Sequence, residues 1–168
     1  MELTEPGPGT EWNAWGPTVR VRIEPSAVMI LARTLDDRSA IYTSTIAAAA
    51  AGFERVPAPP TFTFVMAHSG AFPDLQPADG TGSLYGASAG TEAFTRKGLY
   101  LHGEQHFTYH RQPLVGDVLE GRMRTSVPVE RDARRGPMEV TFFQTEWRDA
   151  DGTPVVTEQI VSLFFPES

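Results

Sequence analysis

The chain has 168 residues, 40% hydrophobic and 21% charged, a balance that suits one packed domain and excludes disorder or a fibrous repeat. A net charge of −7 disfavours a nucleic-acid partner, which would require clustered Lys and Arg, and the lack of cysteine removes disulfides, thiolate metal sites and Cys nucleophiles. No apolar run is long enough for a membrane span and Met1–Pro17 has no signal-peptide pattern, so a cytoplasmic protein without membrane or nucleic-acid partners is expected.

Residues 1–17, rich in Gly and Pro, read as an irregular arm ahead of a single domain over 18–168; Trp12 and Trp15 in it need a surface to dock on. Thr18–Ile23 alternates Val19, Val21 and Ile23 against Arg20 and Arg22, the period of a half-buried strand. Pro25 suits the first turn of a helix whose apolar stripe is Val28, Leu31, Ala32 and Leu35, ended by Asp36-Asp37. Thr43 or Ser44 caps a short helix at Ala47–Ala51 that stops at Gly52. After the proline-rich Val56–Pro60, the segment Thr61–His68 predicts a helix apolar on nearly every side, hence a buried one. Gln76–Gly90, rich in Gly, Ala and Ser, reads as a long mobile loop near a pocket mouth, with Leu84 and Tyr85 its apolar anchors.

Strands dominate from Leu101 onward. Gln105, Phe107 and Tyr109 share one face of the first, and Leu119, Met123 and Val127 one face of the second. Met138–Trp147 and Val155–Phe165 are apolar on both faces. Breaks at 113–117, 131–137 and 149–152 separate them into an antiparallel meander, and one buried helix followed by a meander is an α+β layout.

Three stretches resemble the MaoC-like dehydratase N-terminal domain, which also occurs as the catalytically silent subunit of (R)-3-hydroxyacyl-thioester dehydratases. They are Gly52-Phe53 with Val56-Pro57-Ala58-Pro59-Pro60-Thr61-Phe62, then Leu101–Arg111 with Pro113–Leu119, and the closing pair of strands through Gly152. The resemblance implies a hot-dog fold, an antiparallel sheet wrapped around one buried central helix. It further implies an acyl-CoA or acyl-carrier-protein thioester as ligand, no cofactor, and Tyr42, Thr61, Phe62, His68 and His102 as residues lining the acyl site.

Hydration of an enoyl thioester needs a group to activate water and a group to deliver a proton, tasks that a His and a carboxylate can share, together with donors aimed at the thioester oxygen. Catalytic members of the family carry these in Asp-x-Asn-Pro-x-His. Here the matching stretch is Asp37-Arg38-Ser39-Ala40-Ile41-Tyr42. Tyr42 stands at the His position, and a phenol, with its ordinary pKa of about 10, is a poor base at neutral pH. No catalytic residue is therefore assigned, with Asp37 the carboxylate only if the chain turns over alone. The plainer readings are a solvated helix-end acid for Asp37, a packed tyrosine for Tyr42 and a helix-end carbonyl donor for His68.

His102, His106 and His110 recur every four residues, but on a strand that spacing sets successive rings about 13 Å apart, too far to share an ion, so no metal is expected. Arg131, Arg134 and Arg135 at a turn are available to phosphates of coenzyme A or to an acidic carrier. Gly103 marks a bend or a close backbone approach. The functional expectation is an acyl-thioester-binding accessory subunit of a heteromeric (R)-specific enoyl-CoA hydratase or 3-hydroxyacyl dehydratase, with a MaoC-like partner supplying the Asp/His dyad. The alternatives are a self-sufficient homodimeric hydratase or thioesterase, and a non-enzymatic acyl-CoA-binding module.

Overall fold

The computed structural model describes residues 6–69, 84, 96–134 and 136–167, without the side chains of His68 and Ser69. The Gln76–Gly90 loop lies outside the described residues except for Leu84, which is buried in the main core. The first strand, β1, is Val19–Arg22, with Val19 and Val21 buried and the arginines turned away. Helix α1, Pro25–Thr34, starts on its proline and buries Val28 and Ala32. Leu35, expected on the same stripe, is 57% exposed because it is the C-cap residue and has left the helical path.

Beyond that cap the chain reverses. Asp36 takes the left-handed conformation (φ 53°), its N–H donates to the Arg33 carbonyl and the N–H of Asp37 to the Ala32 carbonyl, the paired bonds of a Schellman ending. A 3₁₀ turn at Ala40–Tyr42 follows, then helix α2, Thr45–Ala50, where Ser44 Oγ accepts the Ala47 N–H at 3.2 Å. Helix α3, Phe62–Ser69, begins just after the prolines. It buries Phe62, Thr63, Met66 and Ala67 against the sheet, while Val65 is 40% exposed. The all-round apolar pattern overstated its burial, since no described element covers the Val65 side.

The remaining strands are β2 (Gly98–Tyr109), β3 (Val118–Thr125), β4 (Val129–Ala133), β5 (Gly136–Arg148) and β6 (Pro154–Pro166). They form one antiparallel sheet in the order β1-β3-β5-β6-β2, with β4 also on β5. What reads as one strand beyond Leu119 is two, because Thr125 faces Phe143 while Val129 faces Val140, which leaves one residue more on the first side. Pro128 cannot donate to the ladder, and the extra residue bulges out at Ser126–Pro128. Val127 consequently leaves the face of Leu119 and Met123 and is exposed. A second irregularity falls at Gly103, between His102 and Glu104, where an added Cβ would stand 3.1 Å from the Val161 carbonyl oxygen.

The sheet has two differently covered faces. The inner face packs Leu119, Met123, Trp147 and Val156 against Phe62, Met66 and Tyr42. Gly121 is required there, because any Cβ would overlap the ring of fully buried Trp147. On the other face Met138, Val140, Phe142 and Val161 form a second cluster with Trp12 against it. The arm runs beside β3: Asn13 N–H donates to Thr125, Gly16 N–H to Met123, and Val127 N–H back to Glu11. The guanidinium of Arg124 lies 4.3 Å from the Trp12 ring centre and 4.5 Å from that of Trp15, with Arg122 4.4 Å from Trp15, a stack that anchors the arm. Trp12 and Trp15 thus dock on their own sheet.

The loops ahead of α3 and β3 are locked together by Asp117. This buried carboxylate accepts from Arg55 and Arg111, each at 2.6 Å, and from the Leu114 N–H at 3.1 Å. Burial acts to raise its pKa, but the hydrogen bonds from Arg111, Arg55 and Leu114 outweigh it and hold the group below the ordinary carboxylate range.

Candidate functional site

Two places collect the residues singled out in the sequence. The first is a cleft of about 370 Å³ at the end of α1, lined by Met29, Arg33, Asp37, Arg38, Ser39 and Tyr42 among others. The Schellman ending of α1 puts Asp37 at its rim, where Oδ1 accepts the Ser39 N–H at 2.9 Å. Ser39 in turn caps the 3₁₀ turn that carries Tyr42, so residues 36–42 form one locally determined unit. The Tyr42 ring is buried and lies near enough to Asp37 for the carboxylate to act on its hydroxyl. Burial, then the charge of Asp37 and its polar influence on the hydroxyl, raise the Tyr42 pKa above its ordinary value. The phenol stays protonated at neutral pH and so offers no base where the family signature places its histidine. No histidine lines this cleft among the described residues.

The second place is the seam where α3 lies on β2. Gln105, Phe107 and Tyr109 point to the inner face, as their register with Ile160, Glu158 and Val156 requires. The Tyr109 hydroxyl accepts the Thr61 N–H at 2.9 Å, while the His102 ring meets Phe64 edge-on at 6.2 Å between ring centres. Thr61 holds φ 67°, a conformation a β-branched residue rarely adopts. Thr61 and His102 are exposed, so the seam reaches the surface, whereas Phe62 points into the core. His68 lies on α3, its ring outside the described side chains.

Sequence reasoning passed over Glu158. It is 1% exposed and accepts from Trp147 Nε1 at 3.1 Å. Burial pushes its pKa up to about 7, with Thr63 and Trp147 pulling the other way. Thr63 Oγ1 comes close enough for that influence without completing a hydrogen bond; Gln105 Nε2 and Glu158 Oε2 are also buried and unpartnered among the described residues. The signal was in the sequence: Glu158 has the same parity as Val156 and Ile160, the inward residues of β6.

The histidine series is dispersed. His102 packs on Phe64, His106 Nε2 lies 3.2 Å from Glu104 Oε2, and His110 Nε2 lies 3.0 Å from Thr157 Oγ1. Among the described residues no His, Asp and Glu cluster has the geometry to hold a metal ion. Arg131, on β4, donates to the Glu130 carbonyl, Arg134 is exposed in the turn, and Arg135 lies outside the described residues. No helix among the described residues is long and apolar enough to cross a membrane.

An antiparallel sheet packed on a central helix that enters from a proline-rich turn defines a hot-dog domain, and solved structures bear this out. The HadBC (3R-hydroxyacyl-ACP dehydratase) complex from Mycobacterium tuberculosis superposes with a TM-score of 0.64 at 20% identity, covering 91% of this chain and 96% of that one. The ChsH1-ChsH2 complex from the same organism gives 0.72 at 19% identity, covering 92% and 86%. A UPF0336 protein of Saccharopolyspora erythraea is 29% identical over 144 residues, 84% of this chain and 80% of its own length. The family model described as "FAS1-like, dehydratase domain region" matches residues 12–158, and the chain belongs to that family. The MaoC-like, hot-dog resemblance read from the sequence is confirmed at this level.

Proposed function

We propose that this chain is an acyl-thioester-binding accessory subunit of a heteromeric (R)-specific enoyl-CoA hydratase or 3-hydroxyacyl dehydratase, and that it shapes the acyl site while a MaoC-like partner supplies the Asp/His dyad. The observation that carries this reading is the Asp37–Tyr42 pair: where the family signature has its histidine stands a buried phenol, whose pKa burial and the neighbouring Asp37 charge raise further above neutrality. Without the histidine of the dyad the chain lacks the paired general acid–base contribution, typically about 10²–10⁴-fold. Two of its structural neighbours are complexes, one of them a dehydratase by name, which fits a subunit that works in company. The ligand is an acyl-CoA or acyl-carrier-protein thioester entering at the α3–β2 seam, no cofactor takes part, and the assembly is cytoplasmic.

The partner's seat in this reading is the outer edge of β2. That strand pairs with β6 on one side and with no strand among the described residues on the other, and it exposes Leu99, Leu101 and Tyr109. The test is to express the chain alone and together with each MaoC-like dehydratase of the same organism, and to assay hydration of crotonyl-CoA and longer enoyl-CoAs. The chain alone is expected to be at least about 100-fold slower than the active pair. Ordinary turnover by the pure chain would replace this reading with that of a self-sufficient homodimeric hydratase. Thioester binding without turnover in any pairing would leave a non-enzymatic acyl-CoA-binding module.

A further inference from the structure

We propose that Thr63, Gln105 and Glu158 form a receptor for a second hydroxyl group, carried by the bound acyl chain beyond C3 and distinct from the 3-hydroxyl on which the partner's dyad acts. The inference rests on the acyl-thioester reading above and adds to it the class of acyl group preferred. Its basis is a coincidence of buried polar atoms. Thr63 Oγ1 on α3, Gln105 Nε2 on β2 and Glu158 Oε2 on β6 are each shielded from solvent and lack a hydrogen-bond partner among the described residues. Thr63 and Glu158 are each only 1% exposed. Most such atoms in folded proteins are satisfied, and those left over ask for a water, an ion or a ligand.

The three come from separate elements yet converge. Gln105 faces Ile160 and Phe107 faces Glu158 across the same strand pair, which makes Gln105 and Glu158 diagonal neighbours on the inner face. Thr63 descends onto Glu158 from α3, near enough to influence the carboxyl's protonation. The other described residues paired with or bonded to Glu158, or beside it on the sheet, are neutral: Thr145 and Trp147 on β5 and Phe107 on β2. The site therefore has no charge to offer an anion, and its chemistry suits a neutral oxygen. Gln105 Nε2 can only donate, Glu158 Oε2 accepts when ionised and donates when protonated, and Thr63 Oγ1 does either. A hydroxyl, which both donates and accepts, is the smallest group that can answer all three.

The approach is through the seam. Gln105 lies on β2 between His102, which packs on Phe64 of α3, and Tyr109, which accepts the Thr61 N–H just ahead of α3, and Glu158 lies one strand further in. An acyl chain laid along the seam would pass over Gln105 before meeting Glu158. Water is the other source of such a hydroxyl, and the test separates the two.

Binding of dodecanoyl-CoA and of isomers of hydroxydodecanoyl-CoA hydroxylated from C4 outward is measured by calorimetry, on the full chain and on its complex with an active partner. One isomer is expected to bind about tenfold more tightly than dodecanoyl-CoA, the gain of one or two buried hydrogen bonds. Glu158→Leu and Gln105→Leu should each bring that ratio to within about twofold of unity, and the milder Thr63→Val should lower it at least threefold should the others fail to fold. Because the ratio is taken within each variant, a general weakening does not mimic the result. Equal binding of all isomers, or a preference that survives in the variants, overturns the receptor and leaves retained water as what satisfies these atoms. Failure of every acyl thioester to bind either preparation overturns the accessory-subunit reading and the receptor with it.

Discussion

The cleft at Asp37–Tyr42 and the seam at Thr61–Tyr109 are built in opposite ways. Residues 36–42 owe their geometry to bonds spanning five residues or fewer: a Schellman ending, a capped turn, and the Asp37 carboxylate accepting the Ser39 N–H two positions on. The seam joins α3 to strands about 40 to 100 positions further along the chain, and its polar atoms are buried and incompletely paired. A locally built site can lose its chemistry by a single substitution while its shape persists. A site assembled from distant elements keeps costly buried groups only within a fold that holds them together.

That contrast can be tested by its energetics. The largest effect belongs to Glu158. Its folded pKa, about 7, lies above the ordinary value of 4.5. The favourable contribution of the neutral form is therefore fully present below pH 4.5 and lost as pH rises through 7. Glu158→Gln should abolish this decline, so that at pH 8 the variant is more stable than the parent by a few kcal/mol, each tenfold difference in proton affinity between folded and unfolded chain being worth about 1.4 kcal/mol. Urea unfolding from pH 4 to 8 measures it; parallel curves for the two proteins would show that Glu158 is not held neutral.

Next is Thr61→Gly. Relief of the left-handed conformation should exceed the entropy glycine adds to the unfolded chain, giving a net stabilisation of about 0.5–1 kcal/mol in the same unfolding assay. Acyl-thioester binding should weaken if the tension at Thr61 serves to aim its N–H. The smallest effect falls in the cleft: Asp37→Asn, at an exposed position, should change stability by less than about 0.5 kcal/mol and leave the activity of an assembled complex unaltered. Loss of activity in the complex would instead make Asp37 a working carboxylate.

How far the sequence reveals the molecule follows the same division. β1, α1, the Ser44 cap and the start of α3 were legible because each is decided within a turn or by alternation over a few residues. The shared face of Gln105, Phe107 and Tyr109 was legible for the same reason. The split of β3 from β4 was not, since an extra residue opposite β5 shows only when both partners are in view. In the cleft, Asp37 and Tyr42 were found by motif, because the family signature is contiguous. Glu158 was missed because an acid in a strand is ordinarily assigned to the solvent face, and the partners that keep it inside, Trp147 and Thr63, lie 11 and 95 positions away.

The arm that lies beside β3 also governs how copies of the fold can meet. With residues 11–16 and β1 along one margin of the sheet, and with β4 only five residues long and carrying Glu130, Arg131 and Asp132, the long unpaired margin among the described residues is that of β2. A sheet with two such margins could extend without limit, each molecule templating the next. With one, the first partner exhausts the valence: like meeting like closes into a two-fold pair, and a homologous partner closes into a pseudo-two-fold one, in which growth stops at two.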